Sequence, residues 1–260
     1  TIVTQADTDA EDAIVKALNK IDPNADGIIS EEIEEGRSET QIGYNWTQSP
    51  LLQSKGRVWI VDPMDGSAHF AEKDPKHPFG IMVGLRDNGN TVMNVIYFPA
   101  TNEFLFAAEG MDGAWSTRFE NGKLTPPERK IAQPLTSEMF LAHRRKGDNA
   151  ATPSDIIGEA AKMFGERQYQ VKSIAATLHR MLLGDGNLVY AFEGIEPKGL
   201  AIWDFCTEFM ARKAGLSVTT FDGQPINHTS AQTNIIIMPA HETTLFGRMM
   251  TSMQTIKRSG

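Results

Sequence analysis

Val58, Trp59, Ile60 and Val61 form an unbroken apolar run, and it stops at two carboxylates, Asp62 and Asp65, in the stretch VWIVDPMDGSAHF. A run of β-branched and aromatic residues without alternation reads as a strand buried on both faces. Pro63 and Gly66 mark a sharp turn directly behind it. A carboxylate at the buried end of a strand is costly unless a partner or a cation neutralises it. Whatever fold forms must therefore bring compensation to this tip.

The same pattern recurs. Ile28-Ile29 runs into Ser30, Glu31 and Glu32, and Ile202-Trp203 runs into Asp204. Taken singly, each acid reads as a turn former or helix cap. Taken together, apolar segments that all end in acids point to one convergent acidic site. Converging carboxylates repel one another and call for a cation. Cys206 is the single cysteine, the six histidines are scattered, and no HExxH pair occurs. That excludes an internal disulfide and a cysteine-rich zinc site. Oxygen-only ligands favour a hard ion, Mg²⁺ before Zn²⁺.

A second acidic stretch, Asp22-Pro23-Asn24-Ala25-Asp26-Gly27, resembles the start of an EF-hand calcium loop. Position twelve should be a bidentate glutamate but is Ile33, so the segment reads as a turn between a helix and a strand.

The remaining pattern is mixed α and β. Asp7-Thr8-Asp9 is placed as the cap of a helix whose apolar face is Ile14, Leu18 and Ile21. Ile81 to Ala107 reads as three antiparallel strands, broken at 87–90 and 99–102. Helices are expected from Thr152-Pro153 to Met163, from Ser173 to Leu183, from Asp204 to Ala214 and from His241 to Ile256. Strands are expected at 188–192 and 233–238. The prolines from Pro126 to Pro134 suggest a junction, giving halves 1–133 and 134–260 of one compact unit. With 260 residues and 40% hydrophobic content the chain can bury a large core. The net charge of −8 argues against nucleic-acid polymers and anionic membranes as partners. No apolar run is long enough to span a bilayer, and with no secretory signal in view a cytoplasmic location is the expectation.

These motifs resemble the inositol monophosphatase superfamily of Mg²⁺-dependent, lithium-sensitive phosphatases. The resemblance is carried by Val3-Thr4-Gln5-Ala6-Asp7, Glu31-Glu32, Asp62-Pro63-Met64-Asp65-Gly66-Ser67 and Trp203-Asp204, in the family's order and at about its spacing. It implies an α+β fold, a layered α-β-α-β-α sandwich. It implies two Mg²⁺, one held by Glu31, Asp62 and the Met64 carbonyl and the other by Asp62, Asp65 and Asp204, with a third near Glu31 and Asp7. Catalytic roles fall to Asp7, Glu31 and Ser67, with an Asp7–Ser67 pair orienting the attacking water. Asp65, Gly66, Ser67 and Asp204 would meet the substrate. The substrate class is a small phosphate ester, inositol monophosphate or a similar polyol or sugar phosphate. A 3'(2'),5'-bisphosphate nucleotidase, a histidinol-phosphatase and a fructose-1,6-bisphosphatase are alternatives, as is a non-catalytic relative that binds metal or phosphate. The family often forms homodimers.

This chain also departs from the family pattern. His69 stands where an asparagine is usual, and reads as a hydrogen-bond donor behind the site. Ala175 replaces a glycine in Lys172-Ser173-Ile174-Ala175, which suggests a narrower pocket. Glu193 and Glu196 do not align with the family's hydroxyl-reading acid. The family has a helix before the motif that here begins at residue 3, so the expectation is either that this helix is missing or that the numbering starts from a truncated end.

Overall fold

A computed structural model describes residues 5–33, 41–43, 46–72, 78–135, 140–146, 168–170, 173–184, 188–194, 200–232 and 234–242. Helix α1 spans Gln5–Ile21 and buries Asp7, Glu11, Val15 and Leu18, which recur every three or four residues along one face. This corrects the sequence expectation twice. Asp7 lies inside the first turn instead of capping it, and Ile21 is 69% exposed. Two inward carboxylates with hydroxyl partners, Ser67 and Ser30, share that face, a signal that apolar periodicity does not carry.

The Asp22–Asp26 turn leads to β1 (Gly27–Ser30). Asp22 accepts from Arg57 at 2.6 and 2.9 Å and from the Trp59 indole at 3.2 Å, and Asp26 accepts from Ser54. Protein donors thus engage the acids of the calcium-loop-like segment, as a connecting turn requires. Next come β2 (Gln41–Ile42), β3 (Arg57–Asp65) and the short helix α2 (Ser67–Glu72). The meander follows as β4 (Gly80–Asp87), β5 (Asn90–Phe98) and β6 (Glu103–Ala108), and continues through β7 (Ala114–Glu120), β8 (Lys123–Leu124) and β9 (Glu128–Lys130). The sheet order is β2-β1-β3-β4-β5-β6-β7-β8, with β9 on β7. β1 runs parallel to β2 and β3, and the other pairs are antiparallel.

A second sheet holds β10 (Phe140–Lys146), β11 (Gln168–Gln170), β12 (Leu188–Gly194), β13 (Leu216–Thr219) and β14 (Asn234–Pro239), in the order β11-β10-β12-β14-β13. Helices α3 (Ile174–Leu182), α4 (Ile202–Phe205) and α5 (Glu208–Lys213) belong to the same part of the chain. The main core joins both sheets through these helices. Ile60, Met82, Ile96 and Phe98 of the first sheet and Tyr190, Phe192 and Ile237 of the second share it with Leu178, Phe205 and Met210. On the opposite face of the first sheet, Val15 and Leu18 of α1 pack on Ile28, Trp59 and Val61. The layers are therefore α, β, α, β, an α+β sandwich. The expected helix 152–163, and 243–256 of the expected last helix, lie outside the described residues; His241 and Glu242 form a turn after β14.

The helix expected from Asp204 to Ala214 is instead two. α4 begins at Ile202, and the helix breaks at Cys206-Thr207 before α5. The side chain of Asn94, on β5, bonds to the Cys206 carbonyl and to the Met210 N–H at the break. Among the described residues, no helix is long and apolar enough to cross a membrane.

Candidate active site

Strand β3 delivers Asp62 and Asp65 through a register shift. Asp62 pairs with Met82 and Asp65 with Gly80, so three steps on β3 match two on β4. In a regular strand, residues three apart point to opposite faces. The extra residue of a β-bulge removes that mismatch and lets both acids serve one face. Pro63 sits in the bulge, where a missing N–H is tolerated. The Met64 N–H donates to Asp62 Oδ1 at 3.0 Å and closes the turn.

Asp204 arrives from the other side, in α4. Its Oδ2 accepts from the Ala201 N–H at 2.6 Å. Beside it, Trp203 packs edge-on against Trp46, with ring centroids 6.1 Å apart, which anchors the short helix. Ligand-capable oxygens of Asp62, Asp65 and Asp204 all lie within 4.8 Å of one another, and all three residues are buried. Burial pushes Asp62 well above the usual carboxylate range, and the charges of Glu31, Asp65 and Asp204 add to the effect. Cys206, buried behind the cluster, is pushed up by burial first and then by Asp62 and Asp204.

Glu31 stands half-buried just past β1, near enough for its charge to act on Asp62 but outside the three-carboxylate group. Its neighbour Glu32 is raised to about 6 by burial, then by Asp7 and Glu11. Asp7 is buried, and the Ser67 hydroxyl lies 2.8 Å from its Oδ1 and 2.9 Å from the Met64 carbonyl. A hydroxyl has one proton, so it donates to one of these acceptors at a time. Gly66 has φ +96°, and a Cβ there would come within 3.1 Å of the Ser173 Cβ, so glycine suits this turn in both conformation and space. His69 is buried on α2. The side chain of Glu193 and all of Glu196 lie outside the described residues.

Some contributors were not among the expected site residues. The Ser173 hydroxyl (3.0 Å) and the Ala175 N–H (2.6 Å) both donate to Asp65 Oδ2, so the N-terminus of α3 is seated on that carboxylate. Ser173 also caps its own helix by accepting from the Ala176 N–H at 2.9 Å. A serine before an apolar helical run signals a cap, but not the distant acid it also binds. Glu11, one turn after Asp7, accepts from the Ser30 hydroxyl and from the Glu32 N–H at 3.2 Å, tying α1 to the Glu31 segment. The (i, i+4) spacing of Asp7 and Glu11 was the available clue. The methyl of Ala175, where the family has glycine, is accommodated by a second glycine. That carbon lies against Gly80, whose missing side chain makes the room.

Buried acids are thus gathered at strand and helix ends, beside a hydroxyl–carboxylate pair, in a cluster that could hold a metal ion. The model for the inositol monophosphatase family matches residues 1–255. The 3'(2'),5'-bisphosphate nucleotidase CysQ of Escherichia coli is 27% identical over 228 residues, 87% of this chain and 79% of CysQ. The extragenic suppressor protein suhB of Bartonella henselae superposes with a TM-score of 0.70 at 24% identity, over 95% of this chain and 84% of that one. An IMPase/NADP phosphatase complexed with Mg²⁺ and phosphate superposes at 0.67 with 18% identity, over 94% and 80%. The chain belongs to the inositol monophosphatase family, a family of phosphatases.

Proposed function

We propose that this chain is a Mg²⁺-dependent phosphomonoesterase acting on a small phosphate ester, inositol monophosphate or a similar polyol or sugar phosphate. The observation that carries the reading is the buried trio Asp62, Asp65 and Asp204, with mutual oxygen distances within 4.8 Å. Such a group fits a hard divalent ion, because its ligands are all oxygen and its charges are not balanced by one another. The relative solved with Mg²⁺ and phosphate supports the choice of ion. Glu31, Asp62 and the Met64 carbonyl would hold one ion, and Asp62, Asp65 and Asp204 the other, with a third ion near Glu31 and Asp7. Bound Mg²⁺ would supply positive charge at the attacking water and at the leaving oxygen.

The chain's own groups do the rest. Glu31 takes a proton from the attacking water. The Ser67 hydroxyl donates to Asp7, 2.8 Å away, and turns a lone pair toward that water. The N–H groups of Gly66 and Ser67 donate to phosphate oxygens. Asp65 and Asp204 face the leaving group from the two halves, 1–133 and 134–260, which act as one unit. A cytoplasmic location and, by family resemblance, a homodimer complete the reading. The similarity to CysQ favours a bisphosphate nucleotide as the second substrate candidate.

Phosphate release should be measured from inositol monophosphate, 3'-phosphoadenosine 5'-phosphate, histidinol phosphate and fructose 1,6-bisphosphate, with and without Mg²⁺, and with LiCl against NaCl. Mg²⁺-dependent turnover of at least one, inhibited more by LiCl, is expected. No release from any of them at saturating Mg²⁺ would make the chain a non-catalytic relative.

A further inference from the structure

In an unbroken helix through residues 202–213, the Cys206 carbonyl would accept from the Met210 N–H, the ordinary i to i+4 bond. Here the side-chain amide of Asn94 stands between them. Its Nδ2–H donates to the Cys206 carbonyl, and its Oδ1 accepts from the Met210 N–H at 3.1 Å. A side chain inserted into the helical ladder in this way kinks or breaks a helix. Asn94 is fully buried and lies 112 and 116 residues from its two partners in sequence. It shares the inward face of β5 with Ile96 and Phe98. Its cross-strand neighbour is Gly84, where a Cβ would lie 2.9 Å from Asn94 Nδ2 and 3.2 Å from the Cys206 Cβ. Strand and helix break meet only because that position is empty.

The place of this splice matters. Asp62 pairs with Met82, and Met82 pairs with Ile96, so the row that holds Asp62 reaches β5 two residues from Asn94. On the helix side, Cys206 is two residues from Asp204. A rigid ladder, one amide and one helix break therefore link the acids of the first half to the acid of the second. With four residues, α4 is too short to hold its own geometry.

We infer that Asn94 is a positioning residue for the cation site: by splicing the helix at 206–210 it sets where Asp204 stands relative to Asp62 and Asp65. The inference rests on the proposed cation site. Asn94→Leu removes both bonds while leaving the Cys206 carbonyl and the Met210 N–H free to bond each other, so the helix can close and the protein can fold. Asn94→Asp keeps the shape and the bond from Met210 but sets an acceptor against the Cys206 carbonyl. Ile96→Val, on the same face of the same strand, is the packing control.

The readouts are Mn²⁺ affinity by electron paramagnetic resonance and the rise in melting temperature on adding Mg²⁺. Changes behind metal ligands commonly cost about 10–100-fold in affinity. That loss is expected in both Asn94 variants, with Ile96→Val within about twofold of wild type. Either Asn94 variant binding Mn²⁺ as wild type does would overturn the role of Asn94, as would an equal loss in Ile96→Val. A wild-type chain that binds no divalent cation would overturn the site itself, and the two failures appear in different arms.

Discussion

Replacing Asp62 by asparagine tests the repulsion at the centre of the site. With ligand-capable oxygens within 4.8 Å, each charged pair involving Asp62 costs about 3.5 kcal/mol at an effective dielectric constant of about 20. The pairs with Asp65 and Asp204 together come to about 7 kcal/mol, and Glu31 adds to them. Because burial and these charges push the Asp62 carboxyl up, proton uptake relieves part of that cost in the metal-free protein. A net gain of about 2–3 kcal/mol from Asp62→Asn is then expected, as for removal of an uncompensated buried charge. Asparagine has nearly the same volume, and its carbonyl oxygen can keep the bond from the Met64 N–H. At about 2–4 °C per kcal/mol, the variant should melt about 4–12 °C above wild type in a chelator.

Saturating Mg²⁺ should close most of that gap. A cation that binds only the native state adds about 2.7 kcal/mol at a hundred times its dissociation constant. Wild type should gain on that scale and Asp62→Asn little, with turnover nearly abolished. Thermal melts in chelator and in Mg²⁺, with phosphate release measured alongside, check both halves of the reasoning. A chelated variant no more stable than wild type, together with equal Mg²⁺ stabilisation of the two, would refute it.

Ser67→Ala removes a hydroxyl but no backbone donor, so turnover should fall about 10²-fold or more with little change in Michaelis constant; steady-state kinetics would show it. Gly80→Ala sets a Cβ 2.6 Å from the Ala175 Cβ, so overpacking of about 1–3 kcal/mol and a weaker Mg²⁺ response are expected in melts and titrations, with recovery in the double variant with Ala175→Gly. The Arg57 hydrogen bond holds Asp22 below the usual carboxylate range, so this pair stabilises the fold above about pH 4 and the benefit is lost as pH falls through the depressed pKa. Urea midpoints of wild type and Asp22→Asn should differ at neutral pH and converge once the pH has fallen below the depressed pKa of Asp22.

What could be read from the sequence were breaks in local chemistry. An acid at the end of an apolar run is conspicuous, and the antiparallel meander announced itself through turn residues between β-rich runs. What could not be read was set by distant partners. Asp62 and Asp65 are three apart and would diverge in a regular strand; only the pairing with β4 reveals the bulge that brings them together. Apolar periodicity found Leu18 and Ile14 on the packed side of α1 but missed Asp7 and Glu11, which are buried against Ser67 and Ser30, and misplaced Ile21. The residues from Asp204 to Ala214 are locally consistent with one helix, and the break comes from Asn94 on another element. Strands such as β9, with Glu128, Arg129 and Lys130, carry too little apolar pattern to be read.

The hydrogen bonds at the site are shared unequally among the acids, and this bears on where a cation is needed most. Asp65 receives the Ser173 hydroxyl, the Ala175 N–H and the N-terminus of α3. Asp204 receives the Ala201 N–H at the start of its own helix. Asp62 is more buried than either, and among the described residues the donor to it is the Met64 N–H. Burial first, and then the field of three other acids, push its carboxyl up. Protein donors thus favour Asp65, while Asp62 and Asp204 each receive one backbone N–H, and of these two Asp62 is the more buried. By its burial and the acids around it, Asp62 is the group whose charge an ion would relieve most. The bridging role proposed for Asp62 on family resemblance is consistent with that burial and charge.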